Sequence, residues 1–124
     1  MTPDAFLHYR TGNASADEAR WQIIEKAYET VENVADVELV RVELKQLLAQ
    51  VQAQFRDEES KFVGQSYAPW HIEDHKRLES ALTSMSKKMH ESLPQNYKYN
   101  IRDWVRLLAD HIETYDFQAE KKSR

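Results

Sequence analysis

The chain of 124 residues has no cysteine, two glycines and three prolines. Without cysteine there is no disulfide frame, no thiolate metal site and no cysteine-attached haem. That lack fits a reducing cytoplasm. With so little glycine and proline, and helix formers along most of the length, the balance favours an all-α domain. Basic charge is not in excess: 17 Lys and Arg stand against 21 Asp and Glu, a formal net charge of −4. No basic face is available as a nucleic-acid footprint, and the short tail Lys121, Lys122 and Arg124 is expected to fray in solvent. No apolar run approaches a membrane span. The opening segment "MTPDAFLHYR" carries an acid and no apolar core, so it does not read as a secretory signal. The expectation is a soluble, cytoplasmic protein with neither a membrane nor a nucleic-acid partner.

What is present is helical patterning. "SADE", Ser15 to Glu18, has the form of a capping box. Trp21, Ile24, Tyr28 and Val31 follow at three- and four-residue spacing, one stripe of a first helix over about 15–34. Residues 1–14 read as an arm packing through Phe6, Leu7 and Tyr9. Asp36 can cap a second helix, about 37–63, with Val37, Val40, Leu44, Leu47 or Leu48, Val51 and Phe55 inward and Gly64 as its stop. Pro69 suits the first turn of a third helix, about 69–92, which carries Ile72, Leu78, Leu82, Met85 and Met89 and ends before Pro94. Asn100 can cap a fourth, about 100–119, with Ile101, Trp104, Leu107, Leu108 and Ile112 inward. Four helices with short connections predict a single domain over 1–124, an up-down-up-down bundle.

Bundles build metal sites from side chains that project inward from facing helices. Gln54 and Glu58 lie one turn apart beside the second helix's apolar stripe, and His71 and His75 lie one turn apart on the third. His111 borders the core of the fourth helix, and Asp116 lies five residues beyond it. Five residues advance an ideal helix by about 140° past a full turn and roughly 7.5 Å along its axis. Both side chains can therefore reach one point only through a local π-type turn, or by approaching it from different sides. Glu58, His71, His75, His111 and Asp116 form a donor set that suits iron, and also zinc or manganese. A histidine pair at i,i+4 is by itself common on solvated helices, as are adjacent acids, and His8 and His90 read that way. Three histidines and two acids converging from three helices are much harder to obtain by chance.

These segments resemble hemerythrins, in particular the bacterial hemerythrin-like proteins. "QFRDEE" is similar to the family's His-Phe-x-x-Glu-Glu segment, "YAPWHIEDH" to its Tyr-Pro loop and His-x-x-x-His pair, and "DHIETYD" to its His-Ile-x-x-x-Asp segment. The similarity runs in order from about Asp17 to Phe117. The resemblance implies a four-helix bundle built around a non-haem di-iron centre that binds O2 reversibly. It assigns His71, His75 and His111 as the terminal ligands of one iron, and Glu58 and Asp116 as bridging carboxylates. The family's second iron takes two further histidines. Here those positions hold Gln54 and, in "DEAR", Arg20, or Trp21 with a one-residue shift. A guanidinium stays protonated and cannot be a ligand, and an amide oxygen is a weak one. The three-histidine half is thus complete while the other half, which in the family holds O2, is replaced. With no metal between them, two facing carboxylates repel, and Arg20 could supply the positive charge through a forked contact to Glu58 or Asp116, with Gln54 donating to the same carboxylate. The alternative is that Arg20 snorkels to solvent.

Three readings follow. The first is a hemerythrin-like protein binding one metal, with a sensor or iron-binding role and with O2 or NO as the small ligands. The second is a di-iron O2-binding protein with substitute ligands such as Glu25 or Glu29, and with Leu108 at the place of the family's O2-pocket leucine. The third is a metal-free bundle acting as an interaction module, its contact surface offered by apolar residues such as Val42 or Val105. No nucleophile–base pair is legible, so no enzymatic turnover is expected.

Overall fold

A computed structural model of the chain describes residues 11, 13–32, 36–66, 68–87 and 94–116. They form four α-helices, α1 (Ala14–Glu32), α2 (Val37–Phe62), α3 (Ala68–Lys87) and α4 (Pro94–His111), followed by a π-helical turn, Ile112–Asp116. No strand occurs among the described residues. Each helix packs on the next and α4 packs back on α1, so the four enclose one core. No helix among the described residues is long and apolar enough to cross a membrane.

The helix starts follow their local chemistry, with two departures from expectation. Asp36 caps α2 as expected, its side chain accepting from the Leu39 N–H at 3.1 Å. Gly64 sits at φ +85, the left-handed conformation that closes the helix behind Phe62. At α1 the cap is Asn13 rather than Ser15. Asn13 Oδ1 accepts from the Ala16 N–H at 3.1 Å, and its carbonyl accepts from the Asp17 N–H at 2.8 Å. Asparagine caps as well as serine does, and starting the helix earlier turns Asp17 inward, where its carboxylate accepts from both the N–H and the hydroxyl of Thr11. The second departure is α4, which begins at Pro94 and not at Asn100. A proline read as the end of one helix serves instead at the first position of the next, where its missing N–H costs nothing.

The core is built from the predicted stripes: Ile24, Val31, Leu44, Val51, Leu78 and Trp104 are all buried. Leu47 faces in, while Leu48 is only partly buried. The Trp104 indole donates to the Leu78 carbonyl at 2.9 Å, which ties α4 to α3. Val42 is exposed, but Val105, expected at the surface, is buried. The inward face of α4 is wider than a single stripe, because Ile101, Trp104, Val105, Leu108 and Ala109 all turn in. The arm expected over 1–14 lies outside the described residues except for Thr11, Asn13 and Ala14; His8, Met89 and His90 lie outside them too.

Candidate metal centre

The site lies where the start of α1, the end of α2, the start of α3 and the end of α4 come together. Each predicted donor is there. Glu58, His71, His75, His111 and Asp116 are all buried, and each offers one ligand atom, all within 4.8 Å of one another. His71 and His75 reach the same space because they are one turn apart on α3. His111 and Asp116 reach it because the backbone widens into a π turn between them, the local device the five-residue spacing requires. His111 Nε2 then lies 3.3 Å from Asp116 Oδ1, and His71 Nε2 lies 2.9 Å from the same oxygen.

The rings are held flat and dry. Phe55 stacks on His75 with centroids 3.8 Å apart, and Phe62 stacks on His71 at 4.3 Å. The Tyr115 ring is tilted beside both His71 and His111. Two acids that the sequence analysis did not single out orient the rings from outside. Glu59 Oε2 is 2.7 Å from His75 Nδ1, and Asp74 Oδ2 is 2.7 Å from His111 Nδ1. Each acid reaches the histidine of the next helix, not one on its own. With the proton on Nδ1, a neutral imidazole turns the Nε2 lone pair into the centre, the arrangement metal-binding histidines use. The acids are in turn tethered by arginines, Glu59 by Arg56 at 2.8 Å and Asp74 by Arg77 at 2.8 Å. Glu59 and Asp74 stand directly after Glu58 and directly before His75, and that adjacency was the only signal the sequence offered.

Both carboxylates of the centre are divided between two neighbours. Arg20, only 5% exposed, brings Nε and Nη2 to 2.9 Å from Glu58 Oε1, and Nε to 3.2 Å from Asp116 Oδ2. Gln54 Nε2 donates to the same Glu58 oxygen at 3.0 Å. Arg20 Nη1 is 3.2 Å from Asp17 Oδ1 and 3.4 Å from the Thr11 hydroxyl. Glu58 Oε2 and Asp116 Oδ1 remain on the imidazole side. Trp21 is half-buried against the edge of the core, and Glu25 and Glu29 are exposed. Leu108 is part of the core.

Among the described residues, Glu58 Oε2, His75 Nε2 and His111 Nε2 have no hydrogen-bond partner. Glu58 Oε2 and His75 Nε2 are 3.2 Å apart, but their directions do not make a hydrogen bond. Donor atoms pointing at a common centre, rather than at one another, are what a cation needs. With metal–nitrogen bonds of about 2.1 Å, opposite ligands would stand about 4.2 Å apart, close to the 4.8 Å limit of the set. The donor set therefore fits one cation with a small contraction.

Charge in the site is shared unequally. Burial works against a charged His111, but the carboxylate of Asp116 beside Nε2 and the hydrogen bond to Asp74 at Nδ1 outweigh it and raise the ring to about 9. His71 moves the other way, lowered chiefly by burial. Burial would raise Asp74, yet His111 and Arg77 bring it down to about 2. The Asp116 carboxyl is held far below its usual range, because the His111 ring beside it and its bond with His71 outweigh its burial. Arg20 is raised, since attraction to Asp116, Glu58 and Asp17 exceeds its desolvation.

Compared with known proteins, the chain matches no family model, no curated protein and no solved structure, so the family resemblance rests on the motifs alone.

Proposed function

We propose that this is a hemerythrin-like metal-binding domain that holds one cation through His71, His75, His111, Glu58 and Asp116, with iron the first choice and zinc or manganese also suited to the donors. The observation that carries this reading is the trio of buried, partnerless atoms, Glu58 Oε2, His75 Nε2 and His111 Nε2. Each unsatisfied buried group costs about 1–3 kcal/mol, which a bound cation would offset. The reading includes a single up-down-up-down bundle over 1–124. In its support, the donors come alternately from starts and ends of successive helices, as antiparallel neighbours require.

A cation held there supplies a Lewis acid and, in the case of iron, a redox-active centre. The chain's own part is to orient and to exclude. Glu59 and Asp74 fix the tautomers of His75 and His111, while Phe55 and Phe62 keep water from the ring faces. The role is that of a cytoplasmic sensor or iron-binding protein with O2 or NO as the small ligand, not that of an enzyme. One cation is favoured over two because Arg20 already occupies one oxygen of each carboxylate that a pair would share. A metal-free interaction module is the second reading, favoured by the His71–Asp116 contact, which lets the donors partly satisfy one another.

Metal content decides among these. Protein purified without chelator should carry one equivalent per chain, and His75→Ala should lose it. Two equivalents would instead identify a di-metal site, and none after iron reconstitution would leave the metal-free module.

A further inference from the structure

The buried charges around the centre do not cancel. Asp17, Glu58 and Asp116 are each buried, and among the described residues the one permanently charged base that pairs with them is Arg20. Three carboxylates against one guanidinium leave two negative charges. Outside these, Glu59 and Glu79 share Arg56, and Asp74 pairs with Arg77; both guanidinium groups are more than half exposed, so solvent screens this outer layer and the balance is drawn over the buried groups. When the imidazoles are neutral, as ligation requires, a divalent cation brings the cluster to neutrality. A trivalent cation leaves one uncompensated positive charge among side chains that are nearly all out of solvent. Buried charge is poorly screened, so such an excess is costly.

We propose that Arg20 acts as a fixed internal cation that matches this site to a single divalent ion and holds bound iron in the ferrous state. The proposal rests on the metal-binding reading and adds to it the choice of valence. The geometry suits the role. Arg20 touches only the outer oxygen of each carboxylate, Glu58 Oε1 and Asp116 Oδ2, and leaves Glu58 Oε2 and Asp116 Oδ1 on the imidazole side. Its charge is therefore felt through the bridging carboxylates without taking a ligand position. Asp17 and Gln54 lock it there, Asp17 by accepting from Nη1 and Gln54 by sharing the Glu58 oxygen.

The test uses the full chain loaded with ferrous iron and titrated potentiometrically. Each bound ferrous ion gives one electron to a mediator pool, and the ferric product is followed by electron paramagnetic resonance. Arg20→Gln removes the internal charge and should shift the ferric-to-ferrous affinity ratio at least tenfold toward ferric, a midpoint about 59 mV lower. Asp17→Asn keeps the acceptor for Thr11 but removes a negative charge, so it should shift the ratio toward ferrous by roughly threefold or more. Arg20→Lys keeps the charge and should return the midpoint close to that of the parent although the fork is lost, a rescue that a packing role would not give. If Arg20→Gln does not fold, the Asp17→Asn and Arg20→Lys midpoints decide. A parent that binds one iron, with all the variants at its own midpoint, overturns the valence proposal alone. A parent that retains no divalent ion overturns it together with the metal-binding reading.

Discussion

Replacing Arg20 by methionine in the metal-free protein removes a guanidinium and keeps a side chain of similar reach. The group lost serves Glu58 at 2.9 Å and Asp116 and Asp17 at 3.2 Å, and these partners' side chains are only 6%, 2% and 3% exposed. Gln54 remains as a donor to Glu58, and His111 still faces Asp116, but among the described residues no guanidinium remains to join Glu58, Asp116 and Asp17. Removing one partner of a buried ion pair costs about 3–5 kcal/mol, because the charges left behind are neither solvated nor matched. For a chain of 124 residues, unfolding entropy converts each kcal/mol into about 4 °C, so the expected fall in Tm is on the order of 10–20 °C. Thermal unfolding followed by far-UV circular dichroism in EDTA reads it directly. Arg20→Lys should recover part of the loss, since a point charge without the fork reaches fewer of the acids. Divalent metal should raise the Tm of Arg20→Met by more than that of the parent. A Tm within about 4 °C of the parent, equivalent to about 1 kcal/mol, would show that the acids find relief elsewhere and that Arg20 is no counter-ion.

The outer acids give a second test: Glu59→Gln and Asp74→Asn should each weaken metal affinity about 10–100-fold, measured by competition with a chelating dye. Equal affinity would remove them from the site. The stability of the metal-free protein should peak near neutral pH. His111, raised to about 9 from 6.5, contributes stability that is full below 6.5 and lost as pH rises through 9. His71 is lowered, so the unfolded chain gains a proton before the folded one and stability also declines below 6.5. Asp74, lowered from 3.8 to about 2, contributes stability above 3.8 that is lost as pH falls through 2. Urea midpoints in EDTA that stay flat from neutral pH into the alkaline range would contradict the His111 part. At the start of α1, Asn13→Ala should cost about 1 kcal/mol and Ser15→Ala less than about 0.5 kcal/mol; the reverse order in urea titration would return the cap to Ser15.

The five clustered side chains were legible because residues one helical turn apart share a face. Glu58 beside Phe55, His71 one turn before His75, and His111 beside Leu108 could each be placed on an inward face from the sequence alone. The His111-to-Asp116 interval carried the most information, because a regular helix would have separated them and only a wider turn reunites them, and that turn is present. Glu59 and Asp74 were not legible for the complementary reason. Their roles depend on the histidine of the next helix, and nothing in a one-helix pattern says which outward acid lies against which neighbouring ring. Pro94 misled because proline marks both the end of one helix and the first residue of another, and local sequence does not separate the two uses. Val105 misled because a stripe drawn at three- and four-residue spacing is narrower than the face α4 buries.

Arg20 was the hardest residue to place, and its geometry shows how one guanidinium can serve two buried carboxylates and still leave an oxygen of each on the imidazole side. A bridging carboxylate needs a positive partner at each oxygen. Among the described residues, Glu58 gives Oε1 to Arg20 and Gln54 and leaves Oε2 on the imidazole side, while Asp116 gives Oδ2 to Arg20 and Oδ1 to His71 and His111. A guanidinium can take the outer half of that arrangement because its planar fork spans two carboxylates at once, which an ammonium or an imidazolium would not do equally well. Asp17 and Thr11 then hold the far side of the fork, so the start of α1 is anchored through the same group that balances the centre. The expected consequence is coupling in both directions. Changing the charge at the centre should alter how firmly the start of α1 is held, and hydrogen exchange at the Asp17 and Arg20 amides should slow when a divalent ion is added. Exchange there that ignores the metal, in protein shown to bind it, would separate the anchor from the site.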